Sequence, residues 1–160
     1  DSRGLFTFDG SVLPDGVPIQ SATLTFQMSS FTSGSSTYPV VELYGFPGDG
    51  LPNSLDAADL SRPLGSTGPI TNLDDKSVTL DTGEIQALLQ ESSTVGVTAY
   101  QAGAPHWLSI VASEQAAQFP SFYNAPTLTV GLTPTPPAAR LPDGDFNGDA
   151  HVDAADYTVW

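Results

Sequence analysis

Between Ile19 and Met28 the chain reads IQSATLTFQM, and Ala22, Leu24, Phe26 and Met28 fall on alternate positions. Successive side chains of a β-strand point to opposite faces, so a period of two gathers these four on one side of an extended segment. The same signature recurs along the chain. Leu5, Phe6 and Phe8 mark a first strand, and Val40 to Phe46, Ser77 to Leu80, Val95 to Tyr100, Trp107 to Val111 and Thr127 to Leu132 mark five more. Each run is short, rich in β-branched or aromatic residues, and bounded by Gly, Pro or Asn, which turn a chain. Such a sequence predicts an all-β protein in which sheets close on a common core. One segment breaks the pattern. Asp81 precedes TGEIQALLQ with Glu84 three positions on, as in a capping box, and Ile85, Leu88 and Leu89 make a one-sided apolar stripe. One short helix is therefore expected over Thr82 to Gln90, lying on a sheet.

Composition narrows the partners. The 160 residues hold four Lys and Arg against 18 Asp and Glu, a net charge of −14. A chain so acidic is repelled by nucleic acid and anionic lipid, and no run is long and apolar enough to insert in a membrane. Cysteine is absent, which excludes disulfides, thiolate metal sites and cysteine nucleophiles. With charged residues at 14% and 15 Gly and 14 Pro, the remaining polarity comes from Ser, Thr, Gln and Asn, the look of a secreted bacterial β-protein. The chain opens on Asp1 rather than Met, as a processed mature protein would, so an extracellular location is expected.

The stretch DFNGDAHVDAAD places side-chain oxygens of Asp145, Asn147, Asp149, Asp153 and Asp156 at its first, third, fifth, ninth and twelfth positions. A calcium ion takes six to eight oxygen ligands, and an EF-hand-type loop supplies them by wrapping at this spacing. His151, at the seventh position, would give its carbonyl oxygen, Val152 would pack inward, and Asp153 would also cap a helix beginning at AADYTVW. The cofactor expected is therefore Ca²⁺. DFNGDAHVDAADYTVW resembles one repeat of a type I dockerin, in which an Asp closes the loop and a helix follows directly. The pattern departs at Ala150, where the sharp turn usually has Gly, and there is no second repeat, so the paired-repeat face that binds cohesins is not implied.

The first 132 residues carry a resemblance of their own. RGLFTFDGSVLPDGVPIQSATLTF, VTLDTGEIQALL and SIVASEQAAQFPSFYNAPTLTV resemble the opening, the strand-then-helix segment and the ending of DNRLRE-type jelly-roll modules. That likeness implies a jelly-roll-like β-sandwich with one short helix and, because some relatives bind carbohydrate, a glycan as a partner. In those modules a strand precedes the segment that begins here at Arg3. Its place would be an open edge or groove, filled by nothing or by a neighbouring subunit's strand. The organisation expected is a sandwich over 1–132, a Pro-rich extended linker over 133–142 (TPTPPAARLP), and a calcium loop with its helix over 143–160. Tyr157 and Trp160, three apart on that helix, would dock the tail on its own domain or on another copy.

Other chemistry is thinly represented. His106 and His151 are the only imidazoles, no Gly-x-Ser-x-Gly elbow occurs, and Glu42, Glu84, Glu91 and Glu114 read as strand, helix or turn residues, so no enzyme is expected. A second calcium site is an alternative for GDGLPNSLDAAD, using Asp49, Asn53, Asp56 or Asp59, beside an acidic surface loop. For a sugar platform, Tyr38, Tyr44, Tyr100, Trp107, Phe119, Phe122 and Tyr123 are candidates, with only the QFPSFYNAP loop reading as exposed. The function expected is that of a secreted, non-catalytic calcium-binding protein that joins copies of itself into a fibre or surface structure. The alternative is a carbohydrate-binding module of a larger enzyme.

Overall fold

A computed structural model describes residues 2–14, 16–32, 39–49, 58–101 and 107–134. The fold is all-β with short helices. Nine strands run through the described residues: β1 (Ser2–Asp9), β2 (Ile19–Phe26), β3 (Met28–Thr32), β4 (Glu42–Gly48), β5 (Pro63–Ser66), β6 (Lys76–Thr79), β7 (Thr94–Gln101), β8 (Trp107–Ile110) and β9 (Thr127–Leu132). They form a four-stranded sheet in the order β1-β7-β4-β5, a three-stranded sheet β6-β2-β9 and a two-stranded sheet β3-β8, all antiparallel.

The period-two residues lie where the pattern puts them. Ala22, Leu24 and Phe26 of β2 share one buried core with Leu43 of β4, Leu64 of β5, Val78 of β6, and Val95, Val97 and Ala99 of β7. The larger sheets are thus two apolar faces on one core. Met28 belongs to that core, yet the run Ile19 to Met28 is not one strand. It breaks at Gln27, whose carbonyl accepts from Val111 N and whose side-chain Oε1 accepts from Asn124 N, both at 2.9 Å. Those bonds turn the chain from one sheet into the next.

Helix α1 (Thr82–Glu91) buries Ile85 and Leu88 against both larger sheets. Its N-cap is half of a capping box. Asp81 Oδ1 accepts from Glu84 N at 3.0 Å, but the Asp81 N–H donates to Leu64 O at 2.8 Å, so Glu84 has no reciprocal role. A second helix, α2 (Ser113–Gln118), corrects the expectation of one. Six residues are too few to show a helical period, and its start follows from the corner after β8. Among the described residues no helix is long and apolar enough to cross a membrane.

Candidate functional site

Among the described residues the sandwich closes on one flank and opens on the other. At the closed flank β5 and β6 end their respective sheets and nearly touch: a Cβ on Gly65 would lie 2.8 Å from the Thr79 carbonyl oxygen. The absence of a side chain there lets two backbones meet. Asp81 N donates to Leu64 O at 2.8 Å and ties the chain just after β6 to β5 across the two sheets.

At the opposite flank stand β1 and β9, the other outer strands of the two sheets. Phe6 and Phe8 of β1 and Leu128 of β9 pack on the core but stay only partly buried. Phe6 stacks on Phe26 across the sheets with centroids 6.2 Å apart, which holds one end of the flank to the core. Hollows of about 530, 200 and 480 Å³ follow along it. The largest is lined by residues 3–8 of β1 without a gap, and faces Ser109, Ile110 and Pro126. The lining also takes in Ala99 and Gln101 of β7 and Val41 just ahead of β4, so the hollow lies under the inward face of the sheet, beside a β1 that is an outer strand with β7 as its one partner among the described strands. An edge presents unpaired N–H and C=O groups, a template for another strand.

Gln101 completes the groove. It ends β7 on the inward side shared by Val95, Val97 and Ala99, lies opposite Ser2, and is only 3% exposed. Neither its Nε2 nor its Oε1 has a hydrogen-bond partner among the described residues. A buried polar group left unpaired costs about 1–3 kcal/mol, so both atoms favour anything that can donate and accept there. The sequence carried one signal for it: a polar residue closing an otherwise apolar inward series.

Sheet β1-β7-β4-β5 bears a polar aromatic cluster on its outer face. Tyr44 and Tyr100 meet edge to face at 6.3 Å, and the Arg3 guanidinium lies 5.4 Å from the Tyr100 ring centre. Tyr44 donates its hydroxyl proton to Glu42 at 2.7 Å, a bond that raises the phenol pKa above its ordinary value. Glu42 is thereby engaged at the surface, and Glu91 pairs with Arg62 at 2.6 Å. In the QFPSFYNAP segment Phe122 is 75% exposed and Phe119 46%, while Tyr123 is half-buried against Phe119.

The expected calcium ligands Asp145, Asn147, Asp149, His151, Asp153 and Asp156 lie outside the described residues, as do the linker beyond Pro134, Tyr38, His106, Asn53 and Asp56. Among the described residues no group of three or more His, Asp or Glu side chains is placed to hold a metal ion. Asp59, from the second acidic stretch, accepts from Ser61 N at 3.0 Å, and its bonds to Ser61 hold its carboxyl below the usual value. That is a turn closing on itself.

No family model, curated protein or solved structure matches the chain. Function therefore rests on the chain's own chemistry.

Proposed function

We propose that this chain is a secreted, non-catalytic calcium-binding protein that assembles with its own copies into an extracellular fibre or surface structure by strand complementation. One observation carries the reading: the flank between β1 and β9 offers a backbone edge beside half-buried Phe6, Phe8 and Leu128. Strand addition satisfies such an edge and covers such side chains in one step. The reading extends to the finer fold, a jelly-roll-like sandwich with a dockerin-like tail. In that tail the side-chain oxygens of Asp145, Asn147, Asp149, Asp153 and Asp156, with the His151 carbonyl, would hold calcium. The ion neutralises crowded carboxylates and stiffens the segment that bears them. Dynamic light scattering and electron microscopy of the native protein test this. Polymers are expected in millimolar calcium, loosening on chelation; a monomer at every concentration in calcium rejects the reading.

A second reading, a carbohydrate-binding module of a larger secreted enzyme, draws on exposed Phe119 and Phe122. Glycan-array binding by the monomer, lost in the Phe119→Ala, Phe122→Ala double variant, would select it.

A further inference from the structure

Close to the hollow of about 530 Å³ the fold displays a side chain of the kind that fills hollows. Phe122 is 75% exposed at a turn in which Phe119 O accepts from Phe122 N at 3.0 Å and from Tyr123 N at 3.1 Å. The turn is braced on both sides. Phe119 meets Tyr123 edge to face at 6.4 Å, and Asn124 donates from its backbone N to Gln27 Oε1 at 2.9 Å and from Nδ2 to Asp75 Oδ2 at 3.2 Å. A ring held out in solvent by such bonds loses little freedom on binding.

We propose that this protein forms a two-fold dimer in which Phe122 of each copy enters the hollow of the other. The hollow suits the ring. Phe6, Phe8, Val41 and Ala99 line it from one side and Ile110 and Pro126 from the other, and about 150 Å³ is room enough for benzene. Gly4 stands opposite Ala99 in register, and among the described residues a Cβ there would meet nothing nearer than the Ala99 Cβ at 4.0 Å, so the missing side chain leaves space. Ser113 and Pro126 both line the hollow, and Phe122 lies between them in sequence, four residues before Pro126 and so within about 14 Å of it. Ring and hollow thus share one patch, the arrangement that a two-fold axis needs.

Charge permits the contact. In a chain of net charge −14, neither the described lining of the hollow nor residues 119–123 include Asp or Glu, so two copies meet here without opposing carboxylates. Two exchanged rings of about 150–250 Å² each, with the walls they cover, come to about 600–1,000 Å², less than the roughly 1,200 Å² of a stable complex. The dimer is therefore transient and fills at high protein concentration. It needs neither strand addition at β1 nor calcium, and so goes beyond the assembly reading.

Sedimentation equilibrium of the full chain in chelator, over a concentration series reaching about 1 mM, tests the contact. A monomer-dimer equilibrium is expected, tightened by added salt as the net charge is screened. Phe122→Ser, at a position already in solvent, should weaken it more than about tenfold. Gly4→Leu, which fills the hollow and leaves the turn alone, should do the same, and a mixture of the two variants should regain dimer through its one intact pair of ring and hollow. p-Benzoylphenylalanine placed at position 122 should crosslink on irradiation to residues 4–8 or 109–113 of the second copy, a readout that holds even where Gly4→Leu fails to fold. A parent that stays monomeric throughout, a dimer that salt weakens, a Phe122→Ser variant that dimerises as the parent does, or crosslinks confined to other surfaces overturn the proposal. So do crosslinks that reach only added glucan oligosaccharides, which favour the glycan reading. Polymers in calcium without a dimer in chelator overturn this contact and leave the assembly reading standing; a dimer in chelator without polymers in calcium does the reverse.

Discussion

The flank at β5 and β6 and the flank at β1 and β9 are built from the same two sheets, yet among the described residues only the first is closed by direct contact between its outer strands. On the closed side Gly65 lets backbone approach backbone, the Asp81 N–H donates across to Leu64 O, and Leu64 and Val78 are buried. On the open side the corresponding apolar residues, Phe8 and Leu128, keep part of their surface in water, and hollows replace contacts. A strand stabilises a fold both through its ladder and through the face it buries. An outer strand whose face is half covered retains capacity for another partner. The contrast places the closer packing on one side of the sandwich and the uncovered apolar surface on the other.

The comparison breaks most readily on paired truncations. Leu64→Ala removes a side chain that is 2% exposed and should cost about 2–5 kcal/mol in urea unfolding. Leu128→Ala, on the open side, gives up less buried surface and should cost about 1 kcal/mol. Equal losses would mean that the open flank is covered in solution. A smaller effect sharpens the closed side. Asp81→Ala frees the Glu84 N–H at the start of α1 and should destabilise by about 1 kcal/mol, while Glu84→Ala should not reproduce the loss of a cap, because the Asp81 N–H is already held by Leu64.

The smallest effects are on pH. Asp9 and Asp59 each accept hydrogen bonds from the serine two residues on, which lowers their carboxyl pKa from 3.8. A depressed folded-state value contributes stability above the unfolded pKa and loses it as pH falls through the folded one. Unfolding midpoints followed downward from pH 5 should therefore fall less steeply in the Asp9→Asn, Asp59→Asn double variant. Tyr44 runs the other way: its bond to Glu42 raises its pKa from 10.0, so its contribution is present below that pH and lost above the folded value. Ultraviolet titration of Glu42→Gln should show one tyrosine ionising earlier than in the parent.

Much of the architecture was legible. Alternation found the inward face of β2 and the existence of β7, and the apolar stripe with its Asp cap located α1 to within one residue of its observed end, Glu91. Two strands escaped. PLGS of β5 contains Pro63 and Gly65 and no β-branched residue, and β3 was merged with β2 because Met28 continues the period across the break at Gln27. Helix α2 was too short to register. Of the site, half-buried Phe6 and Phe8 were visible as strand residues, but Gln101 was not singled out, since an unpaired amide is a statement about what surrounds it.

Period-two patterning and turn residues determined by themselves that this chain forms sheets and which side chains face inward, because those properties are local to each strand. Which strand stands at an edge is not local. LFTF would read the same between two neighbours as beside one, so only the pairing order, in which β1 has β7 as its one partner among the described strands, decided which strand stands at the outside of the sheet.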